Sequence, residues 1–470
     1  MKKLILIFLA AVMLLLPLAG CKKEQEENSG DTSSTNQEVE EYYLNTLSPD
    51  LYDFESIKIA TIDSNMTLAE QPEDADAVDI KKYNRDYKLK EYFDIDINYH
   101  EIKNGVDSEE AEGMLNLVLT NSTDIDFFIQ QPDNLMHLAI NDVCVDLNKV
   151  QNLALDKEWW SQSMNDNLTF NGALYITAGP VAEWYYGAVL AMAYNKDMAL
   201  AEGIGSIYDM VDNGTWTLET MKTILTDHNL TNTEEGRYAI AFSSGVGPYG
   251  LFASAGGKFA TIDDEDGIVV DLASAKHIDI MEKILEAFDP AQTKYGNITV
   301  SSEAFTAGKS LFYYTTVGYM ENFLPSSEIN YGIIPCPKYD TDQKEYISCA
   351  WPSSSFAAAV PNYLTEDRLG WVGLFMEAYC FLGYDYIKPV KYDALVKYQI
   401  AQDETSSRML DTIFGNIYFD INLVANLGGS RSFIGTAITQ GMGGYTGSYL
   451  GISSLIDRDI AKFDSLTKAQ

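Results

Sequence analysis

Along the chain the spacing of hydrophobic positions switches repeatedly between two and about 3.6. Ile57-Lys58-Ile59-Ala60-Thr61-Ile62 alternates as a strand does and ends in the polar loop Asp63-Ser64-Asn65. Residues 79–92 follow helical spacing, and Ile95-Asp96-Ile97-Asn98-Tyr99 alternates again. A helix over 111–120 leads into the apolar run Ile125-Asp126-Phe127-Phe128-Ile129, a buried strand closed by Gln130-Gln131-Pro132. After Gly172 the pattern restarts: Leu174-Tyr175-Ile176 and residues 189–194 are strand-like. Thr217 is placed to cap a helix over 218–226, and Ser274 precedes a helix with the stripe Ile278, Met281, Ile284, Leu285 and Phe288. Beyond Pro361 the spacing is mostly helical. Strands alternating with helices predict α/β layers, with helices covering the sheets.

The N-terminus follows a different rule. Lys2 and Lys3 precede an uncharged apolar run over 4–18, then small residues, which is the build of a secretory signal peptide. Leu18-Ala19-Gly20-Cys21 resembles the bacterial lipobox, which implies lipidation of Cys21 and an anchor on the outer face of the cell membrane. Residues 21–51 shift to Glu, Ser, Thr, Asn and Asp and are expected to be a tether. What remains is too long for one hydrophobic core and predicts two lobes.

Charge narrows the partners. Lys and Arg number 32 against 69 Asp and Glu, a net charge of −37. So negative a surface repels phosphate backbones, so no nucleic acid is expected and an uncharged ligand is favoured. Apart from Cys21 the cysteines are Cys144, Cys336, Cys349 and Cys380, without a Cys-x-x-Cys pair for zinc or redox work. Cys336 and Cys349 flank a turn, and both a disulfide and two buried thiols stay open. The four histidines, His100, His137, His228 and His277, lack metal-ligand spacing, so no metal and no cofactor is expected.

A set of segments carries a resemblance. Asn171-Gly172-Ala173-Leu174-Tyr175, Ala193-Tyr194-Asn195-Lys196-Asp197, and Asn213-Gly214-Thr215-Trp216-Thr217 are three of them. Gly256-Gly257-Lys258 with 263–267, residues 305–312 around Gly308-Lys309-Ser310, and the run from Tyr331 to Tyr339 complete the set. Together, and in this order, they resemble the extracellular solute-binding proteins of bacterial carbohydrate ABC transporters. The resemblance implies a two-lobed periplasmic-binding-protein-like fold of the second type, with mixed sheets flanked by helices and crossover strands as hinges. It places the first lobe at 52–178 with 302–361, and the second at 179–301 with 362–470. It further implies a monomer that carries a sugar to ABC permease subunits, with no catalytic residues.

Open α/β sheets bind ligands at the carboxyl ends of their strands, and a sugar needs aromatic planes for its C–H faces and polar groups for its hydroxyls. Thirty Tyr and six Trp supply the planes. Candidate contacts are therefore Asp63 and Asn65, Gln130 and Gln131, and Ser243 and Ser244, all at strand ends. Trp184 and Tyr185 lie in a crossover loop, the resemblance places Tyr314 and Thr315 at a second crossover, and Trp351 precedes a third apolar strand. Arg431 stands among glycines and serines, and both a fork of donors to hydroxyls and a surface ion pair stay open for it. Trp159, Trp160, Trp216 and Trp371 are expected in the core.

Enzyme motifs fit poorly. Residues 245–250 match GxGxxG literally but contain Pro248, and are read as a loop opening a helix. Ala307-Gly308-Lys309-Ser310 resembles the end of a P-loop, yet Glu303 stands where its first glycine belongs. Asp264, Asp266 and Gly267 are read as a hairpin turn rather than a calcium loop, because Ile262 and Ala273 occupy ligand positions. A glycan-active enzyme with two carboxylates brought together by folding, and a surface sugar sensor or adhesin, both stay open at this level.

Overall fold

The computed structural model describes residues 43–468 apart from 62–75, 103–107, 121–123, 181–182, 229, 233, 244–246, 264–266 and 288–292. The chain divides into two compact units, 1–46 and 47–470. Of the first, residues 43–46 are described, where Thr46 Oγ1 donates to the Tyr43 carbonyl at 2.6 Å. All that follows belongs to the second.

Its opening elements are β1 (Ser56–Thr61), α1 (Ala77–Phe93), β2 (Asp96–Glu101), α2 (Ser108–Thr120), β3 (Phe127–Gln130) and α3 (Pro132–Ile140). Next come β4 (Leu190–Asn195), α4 (Leu218–Asp227), β5 (Tyr238–Ser243), α5 (Tyr249–Ser254), β6 (Thr261–Asp263) and β7 (Gly267–Val269). Helix α6 (Ala275–Ala287), β8 (Thr293–Gly296), α7 (Ile298–Thr306), β9 (Ser310–Thr316) and β10 (Tyr331–Ile334) continue the second body. The chain ends with β11 (Ser348–Cys349), β12 (Ala357–Ala359), α8 (Glu366–Lys388), α9 (Glu404–Gly415), β13 (Ile417–Tyr418), α10 (Ile421–Ala425) and α11 (Arg431–Lys468). Asp76 caps α1 through the amides of Val78 and Asp79, both at 2.8 Å, and Thr217 caps α4, the position its sequence promised.

Two mixed sheets result, each the floor of one lobe. The first has the order β12-β3-β1-β2, with β1 parallel to both β2 and β3 and β12 antiparallel to β3. The second runs β10-β4-β9-β5-β8, antiparallel across β4 and parallel from β9 to β8. Every residue of β3, β4 and β9 is buried. Strands covered on both faces read as continuous apolar runs, which is why these segments lack the alternation of β1.

Two segments lie elsewhere than the lobe division expected from the sequence. Strands β9 and β10, within the 302–361 stretch assigned to the first lobe, are hydrogen-bonded to β4 in the second sheet. Conversely α8, assigned to the second lobe, packs on α1 and sends Phe375 against Phe127 of the first sheet. The hydrophobic pattern identifies a strand but carries no information about which of two similar sheets accepts it.

The connections are few. Thr177 pairs with Ala358, each amide donating to the other's carbonyl (3.1 and 2.7 Å), and Val189 forms a bridge with Ala350. The two crossing segments thus run antiparallel beside each other. A third passage is helical: α8 continues into a π-helix, Pro389–Ile400, which leads to α9 against β10. Such wide-turned helices are rare and concentrate where function bends a helix. Lys391 ties this passage to Glu321 at 2.7 Å.

The first lobe holds its core with charge as well as hydrocarbon. Arg85 of α1 donates to Asp86 (2.8 Å) and to the Tyr379 hydroxyl (2.6 Å), while Tyr99 of β2 donates to Asp86 at 2.6 Å; all but Tyr99 are fully buried. In the same lobe Phe93 meets Trp371 edge-on at 5.1 Å and lies tilted against Phe375 at 5.8 Å. Glu377, 1% exposed on α8, accepts from both indoles Trp159 Nε1 (3.0 Å) and Trp160 Nε1 (2.9 Å) and from the Ala154 amide (2.9 Å). One carboxylate therefore pins the 154–160 loop to the helix. Packing there is tight: a Cβ on Gly179 would sit 2.4 Å from the Trp159 carbonyl. Trp216 and Trp371 are likewise buried, as expected.

Cys144, Cys336, Cys349 and Cys380 are buried thiols, which answers the question left open by the turn between Cys336 and Cys349. Burial pushes the Cys144 thiol up to about 12 and raises those of Cys336 and Cys349 as well. Native protein is therefore expected to resist a thiol reagent such as dithiobis-nitrobenzoate at pH 8, and to titrate four core thiols once unfolded; rapid native labelling would contradict this. Glu377→Ala leaves two buried indole donors and the half-buried Ala154 amide unsatisfied and is expected to lower unfolding stability by about 3 kcal/mol, measured by urea denaturation. Glu377→Gln, which keeps acceptor oxygen, should lose less.

Candidate functional site

The crossing strands force the carboxyl ends of β1 and β3 to face the start of β4 and the ends of β5 and β9. The site lies where these ends meet. On the first-lobe side, Gln130 closes β3, and its Oε1 accepts the Gln131 amide at 2.8 Å. Gln130 is fully buried, and its Nε2 has no partner among the described residues. Gln131 reaches the crossover, donating Nε2 to the Ser353 carbonyl at 3.0 Å. Pro132 then starts α3, placing Asp133 in its first turn, where a carboxylate is favoured by the helix dipole.

The second lobe supplies the opposing groups. Arg431 opens α11, and its Nη1 donates to Asp133 Oδ2 at 2.8 Å and lies 3.3 Å from Ser353 Oγ. Ser353 Oγ itself donates to Asp133 Oδ2 at 3.0 Å. The backbone of Arg431 is held at both ends: its amide donates to Asn426 Oδ1 (3.0 Å), and its carbonyl accepts the Tyr249 hydroxyl. Tyr249, the first residue of α5, lays its ring 4.8 Å from that of Trp351 at 32°, and Trp351 is fastened by its amide to the Ala188 carbonyl at 2.9 Å. A half-buried indole backed by a buried phenol makes a flat apolar wall beside a carboxylate, a guanidinium and an amide. Next to it a cavity of about 500 Å³ opens between α3 and α10–α11, lined by Asp133, Asn134, His137, Asn141, Asn426 and Arg431 among others.

Of the candidates read from sequence, Gln131, Trp351 and Arg431 come together here, with Gln130 immediately behind. Tyr314 and Thr315 are corrected: both are fully buried in β9, and Tyr314 OH accepts the Gly250 amide at 2.8 Å inside the second-lobe core. The turn before β9 follows a helix and leads into a central strand, so the expected crossover is core. Ser243 ends β5 as expected. The backbone of Trp184 and Tyr185 forms a 3₁₀ turn, Glu183–Ala188, whose third aromatic, Tyr186, packs on Tyr392 (4.9 Å) and Phe414 (5.4 Å). Asp63, Asn65, Ser244 and Cys21, and the Trp184, Tyr185 and Ser243 side chains, lie outside the described residues.

Sequence reasoning missed Asp133, Ser353 and Tyr249. A proline directly after a strand announced a helix start at Asp133, and Tyr249 stands in the loop already read as opening a helix. Ser353 had no signal beyond its neighbour Trp351.

The enzyme-like motifs resolve into structure. In a P-loop a strand enters the glycine turn and a helix leaves it; here α7 enters and β9 leaves, with Gly308 at φ 69° ending the helix. Asp263 and Gly267 pair across the β6–β7 hairpin. Among the described residues no group of three His, Cys, Asp or Glu is placed to hold a metal, and no helix is long and apolar enough to cross a membrane.

The fold has solved counterparts. UgpB from Mycobacterium tuberculosis, in complex with glycerophosphocholine, is 16% identical with a TM-score of 0.57, covering 87% of this chain and 100% of its own. A cyclo/maltodextrin-binding protein complexed with maltotetraose is 13% identical with a TM-score of 0.56, over 88% and 96% of the two chains. An ABC substrate-binding protein from Listeria monocytogenes in complex with cycloalternan is 11% identical with a TM-score of 0.53, over 89% and 99%. At such identities the likeness is one of fold, which is two-lobed. No curated protein matches the sequence. The family model for bacterial extracellular solute-binding proteins, however, matches residues 80–379, well over half the chain. This protein belongs to the bacterial extracellular solute-binding proteins.

Proposed function

We propose that the protein captures a neutral carbohydrate, an oligosaccharide by preference, between its lobes and delivers it to ABC permease subunits, acting without catalysis. The observation that carries the reading is the Trp351–Tyr249 wall beside Gln131, Asp133 and Arg431 at the meeting of strand ends. A flat apolar plane next to a mixed rim of donors and acceptors suits the C–H face and hydroxyl edge of a pyranose. The guanidinium in this rim is already neutralised by Asp133, and the whole chain carries −37, so an anionic solute gains little here. The solved relatives in complex with maltotetraose and cycloalternan support a carbohydrate; the one holding glycerophosphocholine shows that the fold accepts other solutes. Cys21 carries the lipid that keeps the protein on the outer face of the membrane.

The test is thermal unfolding in the presence of maltotetraose, cycloalternan and a wider panel of neutral oligosaccharides. A bound solute at a hundred times its dissociation constant adds about 2.7 kcal/mol of stability, a shift of several degrees. Trp351→Ala should weaken that solute at least about tenfold by loss of the stacking plane. If the panel leaves the midpoint unmoved while glycerophosphocholine raises it, the carbohydrate assignment is wrong. For the anchor, Cys21→Ser is expected to release the protein into the medium, and mass spectrometry should find diacylglyceryl on Cys21 of the parent; an unmodified Cys21 would overturn the lipid.

A further inference from the structure

The contacts around Arg431 do more than line a site, because they join separate bodies. Asp133 belongs to α3, which follows the first sheet directly. Arg431 belongs to α11, whose Ile434, Ala437 and Tyr445 are part of the second-lobe core with Leu190, Phe242 and Phe312. Ser353 stands in the segment that crosses between the two. One carboxylate oxygen, Asp133 Oδ2, thus receives a donor from the second lobe at 2.8 Å and another from the hinge at 3.0 Å. The side chains are 12% and 19% exposed, so water screens the pair weakly. The same guanidinium keeps its Nε and Nη2 without a partner among the described residues.

The pair is also reinforced from behind. Tyr249 fixes the Arg431 carbonyl while its ring backs Trp351, and Trp351 hangs from the first crossing segment. Beside it α10 packs directly on α3. At the far end of α11, beyond the break at Gly441 (φ 66°, ψ −166°), Phe463 meets Phe170 of the first lobe edge-on at 4.7 Å. The second lobe therefore holds the first at both ends of one helix, by charge at its start and by an aromatic contact near its finish.

We propose that Asp133 and Arg431 form a latch between the lobes that is made by protein groups alone and holds the closed arrangement before a solute arrives. Asp133 is a positioning residue: in the closed arrangement it holds the guanidinium through Nη1 and leaves Nε and Nη2 for the hydroxyls of an enclosed solute, while Ser353 ties the hinge to the pair. Opening, and with it solute entry, requires the Asp133–Arg431 contact to part. The closed state is then populated without solute, and a solute shifts that population by its differential affinity. The idea uses the family's two-lobed motion but not the identity of the solute.

The experiment needs no solute. Leu119 on the first lobe and Leu200 on the second are 64% and 81% exposed, and the native core thiols are buried. Spin labels on Leu119→Cys and Leu200→Cys give the distance distribution between lobes by pulsed electron resonance. Asp133→Asn and Arg431→Gln are each expected to raise the open-to-closed ratio on the order of tenfold or more, with Ser353→Ala giving a smaller change of the same sign. The exchanged pair, Asp133→Arg with Arg431→Asp, should return the distribution toward the parent, as a double-mutant cycle requires of a direct contact. Distributions identical to the parent in Asp133→Asn and Ser353→Ala would overturn the latch, and so would opening that the exchanged pair leaves uncorrected. Either result stands whatever the oligosaccharide panel shows, since a failure of that panel leaves these distances unchanged.

Discussion

The structure depends on a limit set by backbone hydrogen bonding. Buried strands must satisfy their amides and carbonyls inside their own sheet, so a chain that builds two sheets can pass between them at few places. Here two extended segments cross side by side, paired at Thr177–Ala358 and Val189–Ala350, and one helix crosses as a π-helix. This small number of passages has two results. Each lobe keeps its own hydrophobic core. Gln131, Trp351 and Arg431 gather beside the crossings.

The site is built from parts whose geometry is enforced from outside it. Arg431 is held by its amide, its carbonyl and its guanidinium, each to a different element. Trp351 hangs from Ala188 and is backed by Tyr249. Side chains fixed in this way lose little further freedom when a solute arrives, which is how a weakly complementary surface gains affinity. Asp420 shows the same economy in the second-lobe core: fully buried, it accepts from Tyr418, Phe259, Asn422 and Leu423, and burial raises its carboxyl above the ordinary range.

Much of this was legible in the amino-acid order, and the remainder has identifiable reasons. The strands over 57–61, 96–101 and 127–130, and the helices capped by Thr217 and preceded by Ser274, follow from alternation, helical spacing and capping chemistry. The buried roles of Trp159, Trp160, Trp216 and Trp371 were also readable. Sheet membership was not, because β9 and β10 would satisfy either sheet by pattern and only long-range pairing with β4 decides. The same ambiguity misplaced Tyr314 and Thr315: an aromatic-rich run next to a glycine turn looks like a lip, and becomes core when strands flank it on both sides. Asp133 escaped because a single acid after a proline is common, and its meaning comes from Arg431, nearly 300 residues later in the chain.

The placement of the indoles has a practical consequence for watching the protein at work. Four of the six tryptophans are locked in hydrophobic interiors, two of them donating to Glu377. Their light emission reports whether each lobe is folded, and it is shielded from a dissolved quencher such as acrylamide or iodide. Among the described indoles Trp351 alone is half-buried, beside the proposed site, so its quenching is expected to change when that site fills. Folding and occupancy can thus be followed separately in one native spectrum, without attaching a dye.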